Sequence, residues 1–138
     1  MMAAQSDQYE FAAAEDASTQ SQSPLVRAFA QAMMRDHMRL SEGVRQAAVS
    51  SGLAPPEPAM SSDQASMLSA MQALRGADFD KAYARQQVLA HQVALDVERS
   101  YADSGADPNL RRAAQSALAT IQHHLEMAQQ LKAALDEP

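Results

Sequence analysis

The fold is decided by residues 23–52, which read SPLVRAFAQAMMRDHMRLSEGVRQAAVSSG. Ser23 is a good helix cap and Pro24 suits the first helical turn, so this pair predicts a helix start, while Gly52 predicts its end. Apolar side chains recur every three or four residues at Val26, Phe29, Met33, Leu40, Val44 and Ala47. His37 fills the one gap in this stripe. We therefore expect its imidazole to face the core.

Two further long helices are predicted in the C-terminal half. Asp107-Pro108 repeats the cap-and-proline pair and predicts a helix over residues 108–136, with His124 on or beside its apolar stripe. The other helix is predicted over residues 79–103, and its apolar face includes His91. Three of the four predicted long helices thus carry one histidine each near the buried face.

A connection of about 25 residues, 53–78, separates the two halves of the chain. Its three prolines cannot continue a helix, and a short amphipathic helix follows them. A connection this long can cross the length of a bundle, so we predict an all-α, ferritin-like four-helix bundle, a single domain over residues 1–138, with an extra short helix in the crossover. The predicted helices cover residues 3–20, 24–51, 62–75, 79–103 and 108–136.

Composition excludes several classes of function. The net charge is −6 and lysine and arginine form no concentrated patch, so we expect no nucleic-acid partner. No apolar stretch approaches the ~20 residues of a membrane span, and we expect no signal peptide, because the first residues lack its basic and apolar regions. The chain has no cysteine, which excludes disulfides and thiolate metal ligands.

Three ordered motifs carry a family resemblance. They are FAQAMMRDH at residues 29–37, FDKAY at residues 79–83 with His91 eight residues further on, and IQHHL at residues 121–125. Their order and spacing resemble the bacterial family called domain of unknown function 4142. The resemblance implies a ferritin-like bundle and a location in the periplasm or cell envelope, and it implies no established activity.

A candidate site follows from positions along the helices. His37, His91 and His124 each lie near the middle of a long helix, so in a bundle of parallel and antiparallel helices they share one layer. Glu10 lies near the middle of the first helix on a face of small alanine side chains, and Asp36 precedes His37. Imidazole and carboxylate suit one zinc, iron or copper ion, so these five residues are the predicted metal ligands.

The same five residues have a structural alternative, a buried hydrogen-bond network that fixes the register of the helices. The common di-iron motif is excluded, because no histidine has a glutamate three residues before it. Methionines near the histidines, at Met33, Met34, Met38 and Met127, suit either copper(I) or the filling of irregular core gaps.

We therefore predict a binding or structural bundle protein of the cell envelope, in which the interior layer of histidines and carboxylates either holds a metal ion or has a structural role. No catalytic residue is assigned, because the chain has no cysteine, no nucleophile elbow and no glycine-rich phosphate loop. One alternative is a redox or hydrolytic metalloenzyme that uses the same layer. Another is a purely structural envelope protein that associates through apolar helix faces. The helix over residues 79–103 has apolar residues on two opposite sides, which suits either a central helix or a homodimer interface. These are Val88 and Leu95 on one side and Phe79, Val93 and Val97 on the other.

Overall fold

The structure, a computed structural model, describes residues 2–137, so the two ends of the predicted domain, residues 1 and 138, lie outside the described residues. Within residues 2–137 there are five helices and no strand, which confirms the all-α prediction. The helices are α1 (Met2–Gln20), α2 (Pro24–Ser50), α3 (Ser62–Gln72), α4 (Gly76–Ser104) and α5 (Pro108–Asp136).

The two cap-and-proline pairs start helices as predicted. The Ser23 hydroxyl accepts a hydrogen bond from the backbone N–H of Val26 at the start of α2. The Asp107 carboxylate accepts two such bonds, from the N–H groups of Asn109 and Leu110, at the start of α5. Each side chain thus satisfies backbone donors that have no partner inside the helix.

The start of α4 differs from the prediction by three residues. Gly76 is its first residue and has a φ of 57°, in the left-handed region that glycine adopts without strain. The chain can therefore turn from α3 into α4 before it reaches Asp78, which lies in the first turn of the helix.

Contacts at the helix ends establish the direction of each helix in the bundle. At one end, the Ser21 hydroxyl after α1 donates to the Asp80 carboxylate of α4, at 2.5 Å. At the other end, the Ser51 hydroxyl after α2 donates to Asp107 at the start of α5, at 2.7 Å. The chain directions are therefore up, down, down and up for α1, α2, α4 and α5.

Because α2 and α4 run in the same direction, the connection between them has to return along the bundle. Within it, α3 packs against α1 and α4, where the Gln72 amide donates to Asp16 and the Gln86 amide donates to the backbone carbonyl of Met67. The four-helix bundle with a helix in its crossover is thus confirmed, whereas a closer likeness to ferritins stays a prediction. Across residues 2–137, no helix has the length and apolar character needed to cross a membrane.

Two apolar cores lie on either side of the layer that contains the histidines. The upper core is built around aromatic side chains, with the ring centroids of Phe79 and Tyr83 6.3 Å apart and those of Phe29 and Tyr83 6.0 Å apart. The lower core is centred on Leu95, Ile121 and Leu125. On the apolar side of α4 that was predicted to contain Phe79 and Val93, the Phe79 ring is fully buried in the upper core, whereas Val93 is 51% exposed.

Candidate metal centre

Three histidines from three helices meet in the middle of the bundle. His37 lies on α2, His91 on α4 and His124 on α5, and their exposed fractions are 3%, 1% and 0%. The ring centroids are 5.3 to 5.7 Å apart, and each ring offers one nitrogen within 4.8 Å of the other two. The mid-helix positions thus bring the three imidazoles into one cluster, hereafter the histidine layer.

One nitrogen of each ring is held by a partner outside this cluster. Nδ1 of His37 lies 2.8 Å from Oδ1 of Asp7 on α1, and Nδ1 of His91 lies 2.8 Å from the Gln87 carbonyl oxygen one turn earlier. Nε2 of His124 lies 3.1 Å from Oδ2 of Asp36. A carboxylate and a carbonyl oxygen accept hydrogen bonds, so each of these three nitrogens carries a proton.

The second nitrogen of each ring has no hydrogen-bond partner among the described residues. These nitrogens are Nε2 of His37, Nε2 of His91 and Nδ1 of His124. The partners of the other nitrogens fix the tautomers, so in the neutral form of each ring this second nitrogen carries a lone pair that no protein donor uses. Metal-binding histidines in proteins have this arrangement, with one nitrogen for the ion and the other held by a carboxylate or carbonyl.

Burial makes two of the three imidazoles hard to protonate. It lowers the pKa of His124 to about 4 and also lowers the pKa of His91. Burial acts in the same direction on His37, but the hydrogen bond that its ring donates to Asp7 and the charge of Glu10 outweigh it, so the pKa of His37 is raised. His91 and His124 are therefore neutral at pH 7, the form that binds metals.

Other buried polar groups surround the histidine layer. Glu10 is only 2% exposed, and its Oε2 atom has no hydrogen-bond partner among residues 2–137. The Tyr83 hydroxyl and both polar atoms of the Gln87 side-chain amide share this condition. Burial first, and then the charge of Glu10, raise the pKa of Tyr83 well above its ordinary value. Such a concentration of unpaired buried groups is unusual in a folded interior.

The five predicted ligands lie in three different places relative to the histidine layer. The three histidines face one another, and Glu10 is buried close enough for its charge to act on His37 and His91. Asp36 lies on the outer side, where it binds the far nitrogen of His124 and accepts a hydrogen bond from the Arg35 side chain at 3.3 Å.

Two groups that orient the histidines were not predicted. Asp7 was missed because α1 has no clear apolar stripe, although it lies three residues before Glu10 and hence on the same face. The second is the backbone carbonyl of Gln87, which binds His91. Every residue has a backbone carbonyl, so the residue type at position 87 does not indicate this contact.

Two cavities lie below the histidine layer. The smaller, of about 250 Å³, borders His37, Asp7 and Glu98. The larger, of about 690 Å³, lies at the lower end of the bundle, and Glu98 also borders it. Ala3 and Val44 line both cavities as well, so the two adjoin along a common wall.

Comparison with known proteins finds a family match that covers nearly the whole chain. The family described as domain of unknown function (DUF4142) matches residues 1–131. No curated protein and no solved structure matches the chain. The three motifs that carried the resemblance all lie within the matched residues.

Proposed function

The chain belongs to the domain of unknown function 4142 family, and we propose that it is a metal-binding protein of the bacterial cell envelope. It binds one divalent transition-metal ion through Nε2 of His37, Nε2 of His91 and Nδ1 of His124. The observation that carries this proposal has two parts: the three buried rings each offer one nitrogen within 4.8 Å of the other two, and one buried nitrogen of each ring has no partner among the described residues. The envelope location rests on the family resemblance.

The charges around the histidine layer suit a divalent cation. Imidazole nitrogens are ligands of zinc, copper, iron and nickel, and zinc accepts three of them with a fourth position left open. Asp7 and Asp36 hold two of the rings from outside, and Glu10 places a third carboxylate nearby. Three carboxylates can offset the charge of the ion, which three neutral ligands leave uncompensated.

A purely structural network explains the same residues less well. A network that only fixed the helix register would gain stability by satisfying its buried polar atoms with one another. Here the three inward nitrogens and Oε2 of Glu10 have no such partner within residues 2–137. Leaving buried acceptors unpaired costs about 1–3 kcal/mol each, so a cation that uses them is favoured.

The decisive experiment is a zinc titration of untagged protein after treatment with a chelator. We expect one zinc ion per chain, measured by competition with a coloured chelator and by elemental analysis. Substitution of an orienting residue around a metal typically lowers affinity 10–100-fold, so loss of a ligand in His91→Ala should lower it by at least ~100-fold. Circular dichroism checks that the variant is folded, and His91→Gln repeats the test with a side chain of similar size.

His123→Ala is the matched control, because His123 neighbours His124 in the sequence but is exposed. It should bind zinc with the affinity of the wild type. Absence of saturable binding to the wild type, or equal binding by a folded His91 variant, would exclude the proposed site.

A hydrolytic metalloenzyme is the second candidate, and Glu10 supports it. Three protein ligands leave a coordination position for water or substrate, and an unpaired carboxylate nearby can accept a proton. Oε2 of Glu10 is such a group. Zinc-loaded protein would then hydrolyse an activated ester, and Glu10→Gln would lose this activity while it retained zinc. Equal hydrolysis by the wild type and Glu10→Gln would exclude this role for Glu10.

A further inference from the structure

The larger cavity at the lower end of the bundle has the properties of a ligand site distinct from the histidine layer. Its volume of about 690 Å³ is within the range of small-molecule sites in proteins. It lies between α1, α2, α4 and α5, and its apolar wall is formed by Met2, Val44, Val97, Leu110 and Ala114. Such a wall favours the hydrocarbon part of a ligand.

The polar groups of this cavity all favour a cation. Among the described residues of its wall, those that can carry charge at neutral pH are Asp96 and Glu98, and both are acidic. Glu98 is only 9% exposed, and within residues 2–137 no lysine, arginine or histidine forms an ion pair with it. A carboxyl group that is nine-tenths buried without a protein partner favours a ligand that donates hydrogen bonds to it.

We propose that this cavity binds a primary alkylamine, with its ammonium group on the Glu98 carboxylate and its hydrocarbon chain among Val44, Val97 and Leu110. An ammonium group supplies both the charge and the donors that Glu98 lacks. A carboxylate of the same length would meet two acidic side chains and no basic one. An alcohol would gain the apolar contacts without the ion pair.

The site is separate from the proposed metal ligands. Glu98 follows His91 by seven residues on α4, which places the two about 10 Å apart along the helix. The histidines do not line the larger cavity. Amine binding therefore requires no metal, and measurement in the presence of a chelator tests it independently of zinc binding.

The test compares three ligands with the same eight-carbon chain by isothermal titration calorimetry with a chelator present. We expect n-octylamine to bind at least ~10-fold more tightly than 1-octanol, and octanoate to bind most weakly. Glu98→Gln should reduce the affinity for the amine to that for the alcohol and leave the alcohol unchanged. Glu126→Gln, an exposed glutamate of α5 outside the cavity, is the charge-matched control and should bind like the wild type.

A second variant tests the location of the ligand. Ser100 is exposed and lines the cavity, so a bulky side chain there narrows the cavity with little risk to the fold. Ser100→Trp should weaken both octylamine and octanol by a similar factor. The proposal is overturned if octanoate binds as tightly as octylamine, if Glu98→Gln retains the preference for the amine, or if Ser100→Trp leaves both affinities unchanged.

Discussion

Above the histidine layer the bundle has a core that includes aromatic side chains, and below the layer it contains two adjoining cavities. The upper core includes aromatic side chains, and Tyr9, Phe79 and Tyr83 are completely buried. The lower core consists of aliphatic side chains, and the two adjoining cavities lie beside it. Close packing stabilises a fold but leaves no room for a ligand. We infer that the upper half holds the helices together, while the lower half provides the space next to the histidines.

The largest change in the free energy of unfolding should come from shortening a buried leucine of α5. This helix offers one such leucine in each half of the bundle. Leu131 is 6% exposed in the upper core, and Leu110 is 5% exposed in the wall of the larger cavity. Leu131→Ala should lower the free energy of unfolding by about 4 kcal/mol, because it opens a new cavity, and Leu110→Ala by only about 2 kcal/mol, since part of the space there is already open. Urea unfolding measures both, and equal losses would contradict the difference between the halves.

Zinc should stabilise the protein by joining three helices at the boundary between the halves. A ligand at 100 times its dissociation constant stabilises a folded protein by about 2.7 kcal/mol, roughly 10 °C in the Tm of a domain this size. Differential scanning calorimetry with and without zinc measures this shift. His91→Ala should show no zinc-dependent rise in Tm. A rise equal to that of the wild type would show that the stabilising ion binds at another site.

Glu98→Gln should stabilise the lower half. Burial and, to a smaller extent, the charge of Asp7 raise the pKa of Glu98, so the folded protein holds this proton more tightly than the unfolded chain does. The free energy of unfolding of the wild type therefore falls as the pH rises from the ordinary glutamate range through the raised pKa. At pH 7.5 the variant should be more stable than the wild type, and below about pH 4 the difference should vanish.

Asp96→Asn is the control for the pH experiment, because Asp96 lines the same cavity but is exposed. Thermal unfolding across the pH range should give this variant the same profile as the wild type. A Glu98→Gln variant that followed the wild-type profile at every pH would contradict a buried charge at this position.

The smallest change in stability is expected from a substitution on the outer surface of α2. The Glu42 carboxylate accepts two hydrogen bonds from Arg45 and one from Gln46, each at 2.7 Å, and these bonds lower the pKa of Glu42 to about 2. Water competes with such exposed pairs, so Glu42→Gln should leave the Tm at pH 7 unchanged within measurement. A fall of several degrees would show that the surface of the lower half stabilises the fold more than its interior does.

Much of the fold follows from local signals in the sequence. Ser23 and Asp107 start helices as predicted, because a cap followed by proline constrains the backbone without help from tertiary contacts. Gly76 starts α4 earlier than predicted, since its left-handed conformation depends on how α3 and α4 meet. The apolar stripe of α4 contained no information about that turn.

The site was predicted as a layer, with Asp36 among the expected hydrogen-bond partners of the histidines, but Asp7 was not expected there. Counting along the helices is enough to bring His37, His91 and His124 to one height, because all helices rise equally per residue. The height of a residue does not tell which way its side chain turns. Asp36 therefore stood among the predicted ligands, although it binds the outer nitrogen of His124, while Asp7 was missed because alanine-rich α1 shows no face by pattern.

The connection between α2 and α4 is a position at which the protein could be divided into two separate chains. Leu53 in this connection is 46% exposed, and a break beside it would separate α1 and α2 from α3, α4 and α5. One fragment would carry His37, and the other would carry His91 and His124. Neither fragment alone holds the three imidazoles, so zinc should promote complementation of the split protein, and the reassembled pair should come apart when a chelator is added.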